Sequence, residues 1–269
     1  MRSHRLAAAL PLLLCAAPAF AAMTAEPVEW SIGEDAYRGV LVYDDATPAV
    51  RPGLVMVPNW RGINPAAVEQ AGKIAGDDYV VLVADVYGSE VRPKDNQEAG
   101  QAAGPLLKDR ERLRTRIEKA VEVLRAQAGS APLDAGKIGA LGFCFGGSTV
   151  LELVRGGSNL AGVVSLHGGL ETPLPAEPSS AGTPARTPVL VLNGAEDRAV
   201  TDQDIGDFEQ EMDAADADWQ FVNFGGAVHC FAEPSAGDDP ESNCRYDARA
   251  AERAYRMMDG FFRERFAAE

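Results

Sequence analysis

Apolar and polar residues alternate over Val28–Ile32 and again over Tyr37–Tyr43, with Gly33-Glu34-Asp35 between them, a pattern that predicts an antiparallel hairpin. Further along, the pattern changes. Gly53–Pro58 and Tyr79–Ala84 are continuous apolar runs, as expected of strands buried on both faces. Asn59–Ile63 reads as a loop between them, and Asn64-Pro65 as the N-cap and first position of a helix. Leu113, Ile117, Ala120, Val121 and Leu124 recur at helical spacing with charges between, which predicts one long amphipathic helix over Leu106–Ala128. Strands are then predicted at Lys137–Phe143, Leu160–Leu166, Pro188–Leu192 and Trp219–Phe224, and a closing helix at Asp247–Phe266. Glu171–Thr187, rich in Pro, Ser and Gly, reads as a surface loop or partial lid. Strands alternating with helices, without an internal repeat, predict an α/β fold: one doubly wound, mostly parallel sheet with helices on both faces. Active sites in such sheets lie at the carboxyl ends of the strands.

The N-terminus follows a different rule. Arg2 and Arg5 precede a short apolar stretch, Leu6–Ala17, and Ala19-Phe20-Ala21 is a small-x-small cleavage pattern. Residues 1–21 are therefore expected to be a signal peptide, and 22–269 the exported domain, secreted or periplasmic. Removing the signal leaves about 250 of the 269 residues, enough for one well-filled α/β domain. The apolar stretch is too short to span a bilayer, so no membrane insertion is expected.

Charge narrows the partners. The chain has 25 Lys and Arg against 40 Asp and Glu, a net charge of −15, and losing Arg2 and Arg5 makes the exported part more negative still. Such a surface repels nucleic acid and anionic lipid, which leaves a small molecule as the expected partner. Composition says nothing of oligomeric state. Of the four cysteines, Cys15 would leave with the signal. An odd remainder in an oxidising compartment implies one free thiol. Cys230 and Cys244 flank a loop rich in Pro, Gly and Asp, so they are expected to pair and leave Cys144 free.

Cys144 lies in the stretch with the most chemical content, Gly142-Phe143-Cys144-Phe145-Gly146-Gly147. An apolar strand runs into it and an apolar, helix-compatible segment leaves it, the layout of a nucleophile elbow. A thiol nucleophile needs a base, and the base an orienting acid. Beyond the signal the histidines are His167 and His229, and His229 follows the last strand. Asp197 follows the Pro188–Leu192 strand, with Glu196 as a neighbouring competitor. The order nucleophile, acid, histidine is that of the α/β-hydrolases, so Cys144, Asp197 and His229 are the expected catalytic triad. Asn59, Tyr87, His167 and Phe231 fall near the same mouth and are the candidates for the substrate pocket. No Cys, His or carboxylate spacing resembles a zinc set, and no phosphate loop is present, so neither a metal nor a cofactor is expected.

The elbow, the strand end Asp85-Val86-Tyr87-Gly88, the Gly194–Asp197 turn and Val228-His229-Cys230-Phe231 together resemble the dienelactone hydrolase family, over nearly all of the exported chain. The resemblance implies an α/β-hydrolase fold, the same three catalytic residues, and an oxyanion hole made by the backbone N–H groups of Trp60 and Phe145. It implies cleavage of a carboxylic ester or lactone through a cysteinyl thioester. Well-studied members carry a glutamate where this chain has Asn59, and two substrate-binding arginines where it has Ser89 and Glu233; Arg92 and Arg61 are the nearby alternatives. Two other classes compete: a non-catalytic periplasmic binding protein on the same fold, and a thiol-redox protein using Cys230 and Cys244. The second lacks Cys-x-x-Cys spacing.

Overall fold

The protein is described by a computed structural model covering residues 23–46, 48–180 and 186–267. The expected signal peptide, 1–21, lies outside the described residues. The strands are β1 Met23–Ile32, β2 Asp35–Asp44, β3 Arg51–Val57, β4 Val80–Val83, β5 Leu133–Phe143, β6 Val163–Leu166, β7 Val189–Gly194 and β8 Trp219–Phe224. The helices are α1 Pro65–Ala75, α2 Asn96–Lys108, α3 Arg110–Arg125, α4 Phe145–Arg155, α5 Asp202–Ala214 and α6 Ala248–Ala267. All eight strands form one sheet in the order β1-β2-β4-β3-β5-β6-β7-β8. β1 and β2 pair antiparallel, as does β2 with β4, and every other pairing is parallel.

The continuous apolar strands have the two-sided burial they predicted. Along β3, Val55 and Val57 join the core beneath α3 and α4, while Leu54 and Met56 join the core beneath α1 and α6. Because side chains alternate across a sheet, one strand feeds both layers. α1 starts where the sequence places it: Asn64 caps it by accepting from Ala67 N, with Pro65 at its first position.

Two stretches need correction. The single helix over Leu106–Ala128 is two helices. α2 ends at Lys108, and Asp109 leaves helical geometry while its carboxylate caps α3 by accepting from Arg112 N. Gly100, Gly104 and Pro105 hide α2 in the sequence, since they weaken the periodic signal of a real helix. α5 falls in a stretch with no predicted element. Its start is a capping box, with Thr201 and Asp204 bonded reciprocally, but its buried face is little more than Phe208 and Met212.

The stretch that begins at Glu171 is the expected loop, without helix or strand among its described residues, and its first part is strapped to the helices behind it. Glu152 on α4 is fully buried and held by Arg114 at 2.9 Å and Arg155 at 3.2 Å, with Arg110 at 3.9 Å. The same arginines donate to the loop carbonyls: Arg155 to Leu170, Arg110 to Glu171 and Arg114 to Leu174. Glu211 on α5 binds Arg155 and accepts from Ala176 N. The leading end of the loop is thus fastened by buried, charge-assisted bonds rather than free to act as a lid.

Candidate active site

β5, β7 and β8 all end at the carboxyl edge of the sheet, with β6 between β5 and β7, and each delivers one side chain. Cys144 follows β5 in the left-handed region, at φ 53° and ψ −118°, where a residue with a side chain is strained. The glycines around it allow the turn. A Cβ on Gly142 would lie 2.1 Å from Gly146 O, and one on Gly146 would lie 2.0 Å from Val57 O. The first turn of α4 can therefore rest against the end of β3, just ahead of Trp60. Phe145 opens α4, so its N–H has no acceptor inside the helix and sits at the positive end of the helix dipole.

Asp197 and His229 meet because their loops are tied together. Ala195 N donates to Phe224 O and Glu196 N to Ala227 O, which carries the end of β7 onto the loop after β8. His229 Nε2 lies 2.9 Å from Cys144 Sγ, and its Nδ1 lies 2.6 Å from Asp197 Oδ2. Asp197 is buried, whereas Glu196, its rival in the sequence, is exposed. Burial alone would lower the His229 pKa; its bonds to Asp197 and Cys144 outweigh that and push it up to about 10. Burial acts to raise the Asp197 pKa, but the hydrogen bonds from His229, Ala199 N and Asn243 bring it below its usual value.

The expected disulfide is formed between Cys230 and Cys244, and Cys144 is a free cysteine. It holds a second strand of chain against the histidine. Arg245 N donates to His229 O, and Asp247 N to Phe231 O. This segment brings in Asn243, which no sequence signal marks: an Asn in a polar loop has no periodicity to betray it. Its amide donates to Asp197 Oδ1 at 3.1 Å, and its carbonyl oxygen accepts from Arg198 N.

The cleft in front of Cys144 encloses about 1130 Å³ and continues between α1 and α6. Of the expected pocket residues, Asn59 lines it. The other three are corrections, for they are buried behind it. Tyr87 stacks on Phe145 and donates to Trp60 O at 3.0 Å, bracing the turn that carries the Trp60 N–H. Phe231 belongs to the core under α6. His167, at the end of β6, is fully buried, and its Nδ1 accepts from Cys144 N at 3.1 Å. Burial drives its pKa well down, so it is neutral. Neither alternative arginine serves as a free anion site. Arg92 pairs with Asp85, and Arg61, at the cleft, donates to Lys94 O and Asn96 Oδ1. Glu233 instead brings a buried carboxyl to the cleft wall, where one oxygen accepts from Asn59 Nδ2. Among the described residues no group of His, Cys, Asp and Glu could hold a metal ion, and no helix is long and apolar enough to cross a membrane.

A mostly parallel sheet wrapped by helices on both faces, with a cysteine on a strained strand-to-helix turn, defines an α/β-hydrolase. The chain belongs to the dienelactone hydrolase family, whose sequence profile it matches over residues 38–266. It is similar to the solved structure of m3DLH, at 33% identity and a TM-score of 0.81, over 90% of this chain and 98% of that one. A dienelactone hydrolase-like promiscuous phosphotriesterase from metagenomic libraries is 34% identical, with a TM-score of 0.79 and the same 90% and 98% coverage. A probable 2-oxo-3-(5-oxofuran-2-ylidene)propanoate lactonase of Bradyrhizobium sp. is 27% identical over 188 residues, 68% of this chain and 74% of that protein.

Proposed function

We propose that this hydrolase cleaves a carboxylic ester or lactone through a thioester on Cys144. The observation that carries the reading is the unbroken contact from Sγ through the His229 ring to Asp197, at 2.9 and 2.6 Å. His229 Nε2 takes the thiol proton, and the thiolate attacks the carbonyl carbon. The oxyanion forms beside the N–H groups of Trp60 and Phe145, each such donor being worth about 3–4 kcal/mol. Collapse breaks the ester C–O bond, and the leaving oxygen takes its proton from His229. Water, deprotonated by the same nitrogen, then cleaves the thioester and regenerates the thiol. Asp197 holds the imidazole in the tautomer this needs.

Export belongs to the same proposal, with residues 1–21 as the signal and 22–269 as the secreted or periplasmic domain. The Cys230–Cys244 disulfide supports it, since such bonds persist in oxidising compartments.

The test is hydrolysis of a panel of aryl esters and lactones, with intact-protein mass spectrometry to trap the acyl group. Cys144→Ala and His229→Ala should each abolish turnover, because such residues act as a unit. Cys144→Ser should retain a weak activity, the alcohol being a poorer nucleophile at neutral pH. Full activity in either alanine variant would sink the assignment. A second substrate class follows from the named relative: if a thiolate here also attacks phosphorus, a phosphotriester should leave its phosphoryl group on Cys144.

A further inference from the structure

Glu233 is a buried acid that the reaction sequence above leaves unused. It precedes the short turn Pro234–Ala236, is 5% exposed, and lines the cleft together with Cys144. Its two oxygens differ. Oε2 accepts from Asn59 Nδ2, while Oε1 has no hydrogen-bond partner. The facing polar atom is His167 Nε2 at 3.7 Å, itself without a hydrogen-bond partner. His167 Nδ1 accepts from Cys144 N, so in the neutral ring Nε2 carries the proton, and 3.7 Å is too long for a hydrogen bond. A buried carboxyl with one oxygen unpartnered is costly when it is charged, and its field reaches the cleft that Glu233 lines.

The cations along the cleft are already engaged. Arg61 turns to Lys94 O and Asn96 Oδ1. Lys73 pairs with Glu69, Arg256 with Glu252, and Arg263 with Asp259. None of them is a partner of Glu233. On a protein of net charge −15, the field around this carboxyl adds to the surface field rather than opposing it.

We propose that Glu233 is the specificity-determining residue of the cleft: its charge favours substrates that carry a cationic group and turns away esters that carry a carboxylate. The inference rests on the hydrolase reading above and names the substrate class for it. Burial pushes the Glu233 carboxyl up to about 7, against the opposing influence of the Asn59 hydrogen bond and the His229 charge. The titratable groups facing it are His167 from the end of β6, His229 from the loop after β8 and Tyr255 from α6. Discrimination should therefore grow as pH rises through neutrality.

The experiment uses three 4-nitrophenyl esters with acyl chains of equal length, ending in methyl, trimethylammonium or carboxylate. The readout is the ratio of kcat/KM for the cationic and anionic esters, in which titration of the shared Cys144–His229 pair cancels. In the wild-type protein this ratio should be about tenfold or more at pH 8 and shrink toward one at pH 6. Glu233→Gln should flatten it at both pH values, and Glu233→Arg should invert it. A wild-type ratio that does not move with pH, or that Glu233→Gln leaves in place, overturns the proposal without touching the hydrolase reading. So does a preference for the carboxylate ester that Arg61→Gln removes. If none of the three esters is turned over, the hydrolase reading fails. The matching amides, measured for binding by calorimetry at the same two pH values, then decide the Glu233 proposal by the same ratio.

Discussion

The side-chain amide of Asn243 donates to Oδ1 of Asp197 at 3.1 Å across 46 residues of sequence, while His229 occupies Oδ2. The bond exists because the Cys230–Cys244 disulfide folds the segment before α6 back onto the histidine loop. One covalent link thus reaches both His229, which adjoins Cys230, and Asp197, through the neighbour of Cys244. Asn243→Ala should lower kcat by roughly tenfold or more with little change in KM, the loss of a hydrogen bond to a charged group being worth about 1.5–3 kcal/mol. It should also weaken the support that Asp197 gives the His229 charge, moving the alkaline limb of the kcat profile to lower pH. Cys244→Ser should show the same shift together with a lower Tm, the stability falling by up to about 3 kcal/mol for a loop of this length. An unchanged pH profile in both variants would refute the link.

Cys144 should be alkylated readily by iodoacetamide near neutral pH. The His229 pKa of about 10 keeps the imidazolium beside the sulfur throughout that range. A thiol without a cationic partner, with a pKa of about 8.5, reacts slowly there. Asp197→Asn removes the carboxylate that sustains the imidazolium, so labelling of that variant at about pH 7 should be markedly slower. Labelling measured from pH 6 to 9 checks both statements.

The buried Glu233 carboxyl sets the sign of one stability change. Its pKa rises from 4.5 unfolded to about 7 folded, so the folded state holds a proton that the unfolded state has lost. The stability present below about pH 4.5 is therefore lost between there and pH 7, by about 3 kcal/mol. Glu233→Gln cannot ionise, and its urea-unfolding free energy should fall less between pH 4.5 and pH 8 than the wild type's. A wild-type decrease no larger than the variant's would contradict the assignment.

Glu152 supports the elbow helix from behind. Removing it leaves Arg155 and Arg110 buried without their shared carboxylate, and breaking such a pair from one side costs about 3–5 kcal/mol. Glu152→Ala should lower Tm by several degrees and expose Leu170–Ala176 to proteolysis, while the isosteric Glu152→Gln should lose less. Limited digestion that leaves that segment intact in Glu152→Ala would show that the arginines do not hold it.

The strands and their two-sided burial were legible because β3, β4 and the end of β5 are apolar runs whose type follows from local composition. The elbow was legible because glycines at 142, 146 and 147 answer a local steric demand that hardly any other residue can meet. The chain order of Cys144, Asp197 and His229, each just past a strand, was enough to bring the three together, since parallel strands put their ends on one edge. The helix break at Asp109 and the whole of α5 were not legible, because their apolar faces are short and packing, not periodicity, keeps them helical.

What only the tertiary structure decided are the contacts between loops. Tyr87 and Phe231 look like pocket residues by position, yet packing turns both inward; His167 is buried behind Cys144. Asn243 joins the site from a stretch that carries no pattern, and the bond between Glu233 and Asn59 links two stretches far apart in the chain. Periodicity and turn chemistry are properties of neighbours in the chain, and they determine elements and the edge on which a site forms. Which side chain fills the space between two loops depends on how distant backbones settle against each other, and that is a property of the folded whole.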